Sequence, residues 1–209
     1  MWLQAYTAAS AFRWFRDKLC SLEVAASELM GGDPYDLMTT IASTSKPGAN
    51  GVTTLTCLQG SHGRRTNDEM RGTILGISLG TEKADIAHAI LEGICYEMFD
   101  ILKMQEEFSG PVTTVRLSGG VSKSDMWCQM FADVFNKPVE LTEVKETAAL
   151  GAAMYAGVGI GVYNSCEDAV AKCVRIEKTY EPNPESVKAY AAAYERWNRA
   201  FEALNGAYY

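Results

Sequence analysis

An α/β fold, in which helices cover a sheet, is predicted by three features of the sequence. Residues 111–159 run strand, helix, strand, helix, an order that calls for right-handed parallel crossovers. Ile86, Ile90, Ile94 and Met98 recur at every fourth residue, the stripe of a long helix with one buried face. Near the C-terminus, Tyr190, Tyr194, Trp197 and Phe201 form an aromatic stripe at helical spacing, which reads as a docking face. With 47% hydrophobic and 22% charged residues, the 209-residue chain resembles an ordinary soluble globular protein with a sizeable core. No internal repeat, low-complexity run or interdomain linker divides it.

In chain order, the first helix is predicted from Thr7 to about Leu29, with Phe12, Phe15, Leu19 and Leu22 on one face. "GGDPYDLM" ends it, and Asp33 followed by Pro34 supplies an N-cap and first turn for a shorter helix through Ala42. "KPGANGV" closes that element. The β-branched runs Thr53–Leu58 and Gly72–Ile77 read as strands, joined by the polar loop Gln59–Arg71. A loop of that length is either a functional element, with Arg64, Arg65 and Asp68 as its candidates, or a solvated excursion. Thr81-Glu82 opens the longest helix, to about Glu107. His88 sits within it among apolar neighbours with no carboxylate or cysteine partner evident in sequence, which favours a structural role. Strands at Pro111–Leu117 and Pro138–Thr142, then helices at Thr147–Gly159 and Pro184–Asn205, complete the chain.

The stretch "LSGGVSKSDMWCQMFAD" from Leu117 to Asp133 joins a strand to an amphipathic helix through two adjacent glycines. Two readings fit. Glycines without Cβ let a ligand approach the backbone, and the following helix N-terminus offers N–H groups, which together suit a nucleotide. A tight βα turn needs glycine for its conformation alone. A dinucleotide-binding dehydrogenase is excluded, because no G-x-x-G spacing follows Gly119-Gly120 and no acid ends the next strand. The net charge of −7, without any Lys/Arg run, argues against nucleic acid or an acidic membrane surface as partner. Six scattered cysteines lacking a C-x-x-C pair, beside two histidines, do not form a zinc pattern, and they read as buried free thiols of a cytoplasmic protein. No window has the roughly 18 apolar residues that a bilayer span needs.

Two segments carry a family resemblance. "GTILGISLGTEKADIAHAILEG" places Gly72, Ile74, Gly76, Ile77, Asp85, Ala89, Leu91 and Glu92 at the spacing of the C-terminal signature of the FGGY carbohydrate kinases. "SGGVSKSDMWCQMFADVFNKPVELTEVKETAALGAAMYAGVG" resembles that family's nucleotide-binding turn, tryptophan-bearing helix, small strand and Glu-x-x-Ala-Leu-Gly-Ala-Ala helix, and "ASAFRWFRD" is similar to a helix on its phosphate side. The resemblance implies an actin-like ATPase (ribonuclease H-like) C-terminal domain with a mixed, mostly parallel sheet. Residues 1–209 would be the nucleotide-binding half, incomplete at its N-terminal side and lacking the sugar-binding catalytic domain.

By the same resemblance, Gly119 and Gly120 would line the adenosine site, Val121 would lie against adenine, and Ser124 would hold a polar adenine contact. Ala9 and Arg13 would face the phosphates, although the family often has glycine and glutamine at these two positions. The implied cofactors are ATP and Mg, with magnesium ligands mostly outside this chain. No catalytic residue is assigned, since the aspartate base is expected upstream and Asp100, Asp125 and Asp133 lie in helical patterns without a paired acid. The implied reaction is phosphorylation of a small sugar or polyol, a pentulose such as xylulose, as in xylulokinase-like and autoinducer kinases. The chain alone is expected to be inactive and to form a homodimer through an open sheet edge or an uncovered face near Trp14 and Phe15. The alternative is a non-catalytic actin-like module that binds nucleotide or a partner protein.

Overall fold

The computed structural model describes residues 8–61 and 65–207. Helices α1 (Ala8–Leu19), α2 (Ser21–Leu29) and α3 (Pro34–Ala42) precede a short antiparallel pair, β1 (Thr53–Leu55) and β2 (Thr73–Leu75). The long helix α4 (Lys83–Ser109) leads to β3 (Val115–Leu117), α5 (Asp125–Phe135), β4 (Val139–Thr142) and α6 (Thr147–Gly159). Helix α7 (Cys166–Cys173), β5 (Ile176–Tyr180) and α8 (Pro184–Asn205) follow. The larger sheet has the order β3-β4-β5; β3 and β4 are parallel, whereas β5 runs antiparallel to β4. It is mixed, as expected, but its parallel share is one pair of short strands.

Helix α4 is the axis of the core. Its apolar stripe, including Ile90, Leu91, Ile94 and Cys95, is buried against α1, α3, α5, α8 and β1. A capping box between Glu82 and Asp85 starts the helix. Asp85 also accepts from Ser45 Oγ at 2.6 Å and Asn50 Nδ2 at 2.7 Å. Burial alone would raise the Asp85 carboxyl, but these hydrogen bonds and the one from the Glu82 backbone outweigh it and hold it below the usual range. They also pin the turn in which Ala49 and Asn50 adopt φ of 47° and 49°, a left-handed conformation that side chains disfavour.

The aromatic stripe of α8 docks as predicted: Tyr190, Tyr194, Trp197 and Phe201 are all buried, and Trp197 Nε1 donates to the Thr54 carbonyl at 3.1 Å. His88 is buried with Nδ1 2.9 Å from the Ala42 carbonyl and Nε2 3.3 Å from Glu92 Oε1. The carboxylate missing from the sequence reading is therefore Glu92, one helical turn on.

Four expectations change. The single helix predicted through Leu29 breaks at Cys20, whose φ of −125° and ψ of 38° are not helical. The break lets Cys20 enter the core, and Leu19 and Leu22, expected on the buried face, are exposed. Phe15, expected at an exposed patch, is core, while Trp14 is partly exposed. The strands are shorter than their apolar runs, because Thr56 and Cys57 continue buried but leave the ladder. The loop 59–71 is not free at Arg65, which forms ion pairs with Asp100 and with Glu202 at 3.0 Å and lies 4.3 Å from the Phe201 ring centroid, tying that residue to α4 and α8, while Asp68 is exposed. Arg64 and the helix start at Thr7 lie outside the described residues.

Candidate functional site

The turn after β3 folds as a short 3₁₀ segment, Gly119–Lys123, and Ser124 then caps α5 by accepting from the Trp127 N–H at 3.3 Å. Residues of α1 and α3 line a common cavity with this turn. A cleft of about 370 Å³ opens between the three. Phe12 and Trp127, with ring centroids 6.0 Å apart, supply an apolar surface, and Tyr35 packs on Phe12 at 6.1 Å. A flat apolar ring fits such a lining, with polar groups at its edges setting orientation.

The two glycines separate the two readings of this motif. Gly119 has φ of +74°, so the turn itself favours glycine there. Gly120 has no such conformation, and a Cβ built on it would meet nothing within 4 Å. Neither turn geometry nor internal packing calls for glycine at 120. Its missing side chain leaves the backbone bare at the wall of the cleft.

The electrostatics distinguish the ends of the cleft. The N-terminus of α5 already carries the Ser124 cap and, in its first turn, the Asp125 carboxylate, which Tyr180 and Lys178 hold below the usual range through hydrogen bonds. A further anion gains little at that terminus. The cations that line the cleft are Arg13 and Lys123, and Arg13 has no hydrogen-bonding or ion-pair partner among the described residues. The α1 side of the cleft, with Arg13, therefore suits an anion better than the α5 terminus does.

Of the residues singled out in the sequence, Ala9, Arg13, Gly120 and Ser124 line this cleft together. Gly119 lies beside it, and Val121 is half-buried against the core and lines no part of it. Lys123 lines it as well. Sequence reasoning missed the α3 wall altogether: Asp33, Tyr35, Asp36 and Thr39 come from a helix far from the glycine motif. A second, shallower cavity of about 280 Å³ continues the cleft past Thr40 and Ser43. Among the described residues no group of three His, Cys, Asp or Glu side chains is placed to hold a metal ion, and no helix is long and apolar enough to cross a membrane.

Residues 4–160 match the model of the FGGY family of carbohydrate kinases, C-terminal domain. A gluconokinase of Bacillus licheniformis is 32% identical over 197 residues, covering 94% of this chain and 38% of that protein. An autoinducer-2 kinase of Salmonella typhimurium is 33% identical over 202 residues, covering 91% of this chain and 36% of its own length. A xylulose kinase of Staphylococcus epidermidis is 30% identical, covering 82% and 34%. The solved gluconate kinase of Lactobacillus acidophilus superposes with a TM-score of 0.83 at 23% identity, over 98% of this chain and 39% of that one. The chain therefore spans less than two fifths of the length of these relatives.

Proposed function

Because the chain belongs to the FGGY family of carbohydrate kinases, we propose that it forms the adenosine-binding half of an ATP-dependent kinase that phosphorylates a hydroxyl of a small sugar or polyol, a pentulose such as xylulose. The observation that carries this reading is Gly120, bare where neither backbone conformation nor packing demands it, in a cleft shared with Ala9, Arg13 and Ser124. In this reading the base lies between the Gly120 backbone and the Phe12–Trp127 surface, and the phosphates run toward Arg13. When bound, ATP would supply the phosphoryl group to be transferred. The chain's own part is to bind and orient the nucleoside and to keep water from one face of the base.

The apolar lining and the open backbone fit such a group. No side chain of this chain is assigned to magnesium or to deprotonation of the acceptor. The proposal extends to the domain assignment: residues 1–209 are the C-terminal nucleotide domain, and the acceptor and its base are supplied by sequence outside it.

Isothermal titration of the chain with ADP tests the reading. Binding in the millimolar range is expected, with Gly120→Leu weaker by about tenfold or more, which is about 1.4 kcal/mol. Absence of any heat at millimolar ADP, or a Gly120→Leu chain that binds unchanged, would contradict it.

A further inference from the structure

Resting on the nucleotide reading above, we propose that Asp36 and Thr39 of α3 form an acceptor-only wall that reads the exocyclic amine of adenine. The hydroxyl protons of α3 are directed at its own backbone. Thr39 Oγ1 donates to the Tyr35 carbonyl at 2.9 Å and also lies 3.2 Å from the Asp36 carbonyl. Thr40 Oγ1 donates to the Asp36 carbonyl at 2.7 Å, and Ser43 Oγ to the Thr40 carbonyl at 2.7 Å. A carbonyl can only accept, so each of these protons is committed to the helix backbone. What remains for a ligand is lone pairs. The Asp36 carboxylate adds two more acceptor oxygens. A helix face carrying Asp36, Thr39, Thr40 and Ser43 at one-turn spacing thus presents acceptors and no donors.

The opposite side of the cleft is complementary. Lys123 offers only donors, and Ser124 Oγ, which already accepts from the Trp127 N–H, has its own proton free to give. Asp36, Thr39, Lys123 and Ser124 are the residues that line both the main cleft and its shallow continuation, so this polarised quartet sits where the two meet. Arg13 lines the main cleft alone. With the phosphates at Arg13, the base edge reaches the quartet. Adenine presents there an amine that donates and ring nitrogens that accept. The amine pairs with Asp36 and Thr39, and a ring nitrogen with Ser124 or Lys123.

The test compares three ligands on the 209-residue chain by calorimetry: ADP, purine riboside 5′-diphosphate, which differs only in lacking the amine, and GDP. A hydrogen bond to a charged group is worth enough to predict at least about tenfold weaker binding without the amine. Asp36→Asn keeps one acceptor and adds donors, and Thr39→Val removes the hydroxyl with its shape retained; each variant should bring the ratio of ADP to purine riboside diphosphate toward unity. Asp36 is exposed and Thr39 half-buried, and circular dichroism verifies that the variants fold. Equal binding of ADP and purine riboside diphosphate to the parent chain, or a ratio unchanged in both variants, overturns the proposal while leaving nucleotide binding intact. GDP binding as tight as ADP, and lost in Asp36→Asn, overturns it in favour of an acceptor wall that reads guanine. Failure of all three ligands to bind overturns the nucleotide reading itself.

Discussion

Gly93→Ala is expected to destabilise the chain, although the same change in an open helix would stabilise it. Gly93 lies on α4 where that helix meets β1, and a Cβ there would stand 2.4 Å from the Thr54 carbonyl oxygen and 3.2 Å from Thr56 Cγ2. The carbonyl cannot easily retreat, since it accepts from Trp197 Nε1 at 3.1 Å and its strand is paired with β2 through Ile74. Replacing a helical glycine by alanine contributes about 1 kcal/mol. Overpacking a close contact costs about 1–3 kcal/mol, with the upper end appropriate to a backbone neighbour. The difference is a net loss of about 2 kcal/mol, and at about 2–4 °C per kcal/mol for a chain of this size the Tm should fall by roughly 4–8 °C. Gly151 on α6 is the control, because a Cβ there meets nothing within 4 Å. Gly151→Ala should raise the Tm by about 2–4 °C. Thermal unfolding followed by circular dichroism in one buffer measures both. A Gly93→Ala chain as stable as its parent would refute the argument that α4 and β1 are held at backbone contact.

Three further outcomes are expected. Burial pushes the Glu97 carboxyl up from 4.5 to about 6, against a hydrogen bond from Thr56 that pulls it down. The folded state thus keeps this proton to a higher pH than the unfolded chain, and the resulting cost is absent below about pH 4.5 and complete above about pH 6. Glu97→Gln should therefore gain about 2 kcal/mol at pH 7 and nothing at pH 4 by urea unfolding, and an equal gain at both would be inconsistent with burial as the cause. Phosphoryl transfer assays with xylulose, ribulose or gluconate should give no turnover for this chain alone, and measurable turnover would sink the assignment of the acceptor site to sequence outside it. Finally, α6 is apolar on all sides yet buries only Gly157, leaving Tyr155 72% exposed, so the chain should self-associate; a clean monomer by light scattering at tens of micromolar would count against it.

How much of this was legible in the sequence depended on whether the signal was local. Helix α8 is bounded as predicted because Asn183 accepts from the Glu185 and Ser186 N–H groups ahead of Pro184, and its aromatics repeat every third or fourth residue. Helix α6 and the Asp33-Pro34 start of α3 were equally plain. By contrast, β5 is an edge strand exposed over Ile176–Thr179, so its residues lack the apolar alternation that marks a strand, and α7 is eight residues long with one buried side chain. Both went unread. The break at Cys20 has no glycine or proline to announce it; tertiary burial of the thiol decides it.

The site divides the same way. The glycine motif stood out as a motif, and the significance of Gly120 as distinct from Gly119 needed a backbone angle and a neighbour distance. Asp36, Thr39, Thr40 and Ser43 are visible as a polar stripe, but nothing in the sequence says that they face Ser124 across a cleft. In the sequence Arg65 is a candidate functional residue of a loop that is otherwise a solvated excursion, and only the fold brings Asp100, Asn198 and Glu202 to it.

The central claim is that the cleft between α1, α3 and the turn 119–124 holds a nucleoside. Backbone amide shifts followed by NMR during an ADP titration of the isotope-labelled chain test this most directly. The account predicts that the amides of Arg13, Thr39, Gly119, Gly120 and Ser124 shift together with one saturation curve, while those of α7 and the exposed face of α8 stay still. Shifts centred elsewhere on the molecule, or none at millimolar ADP, would contradict it.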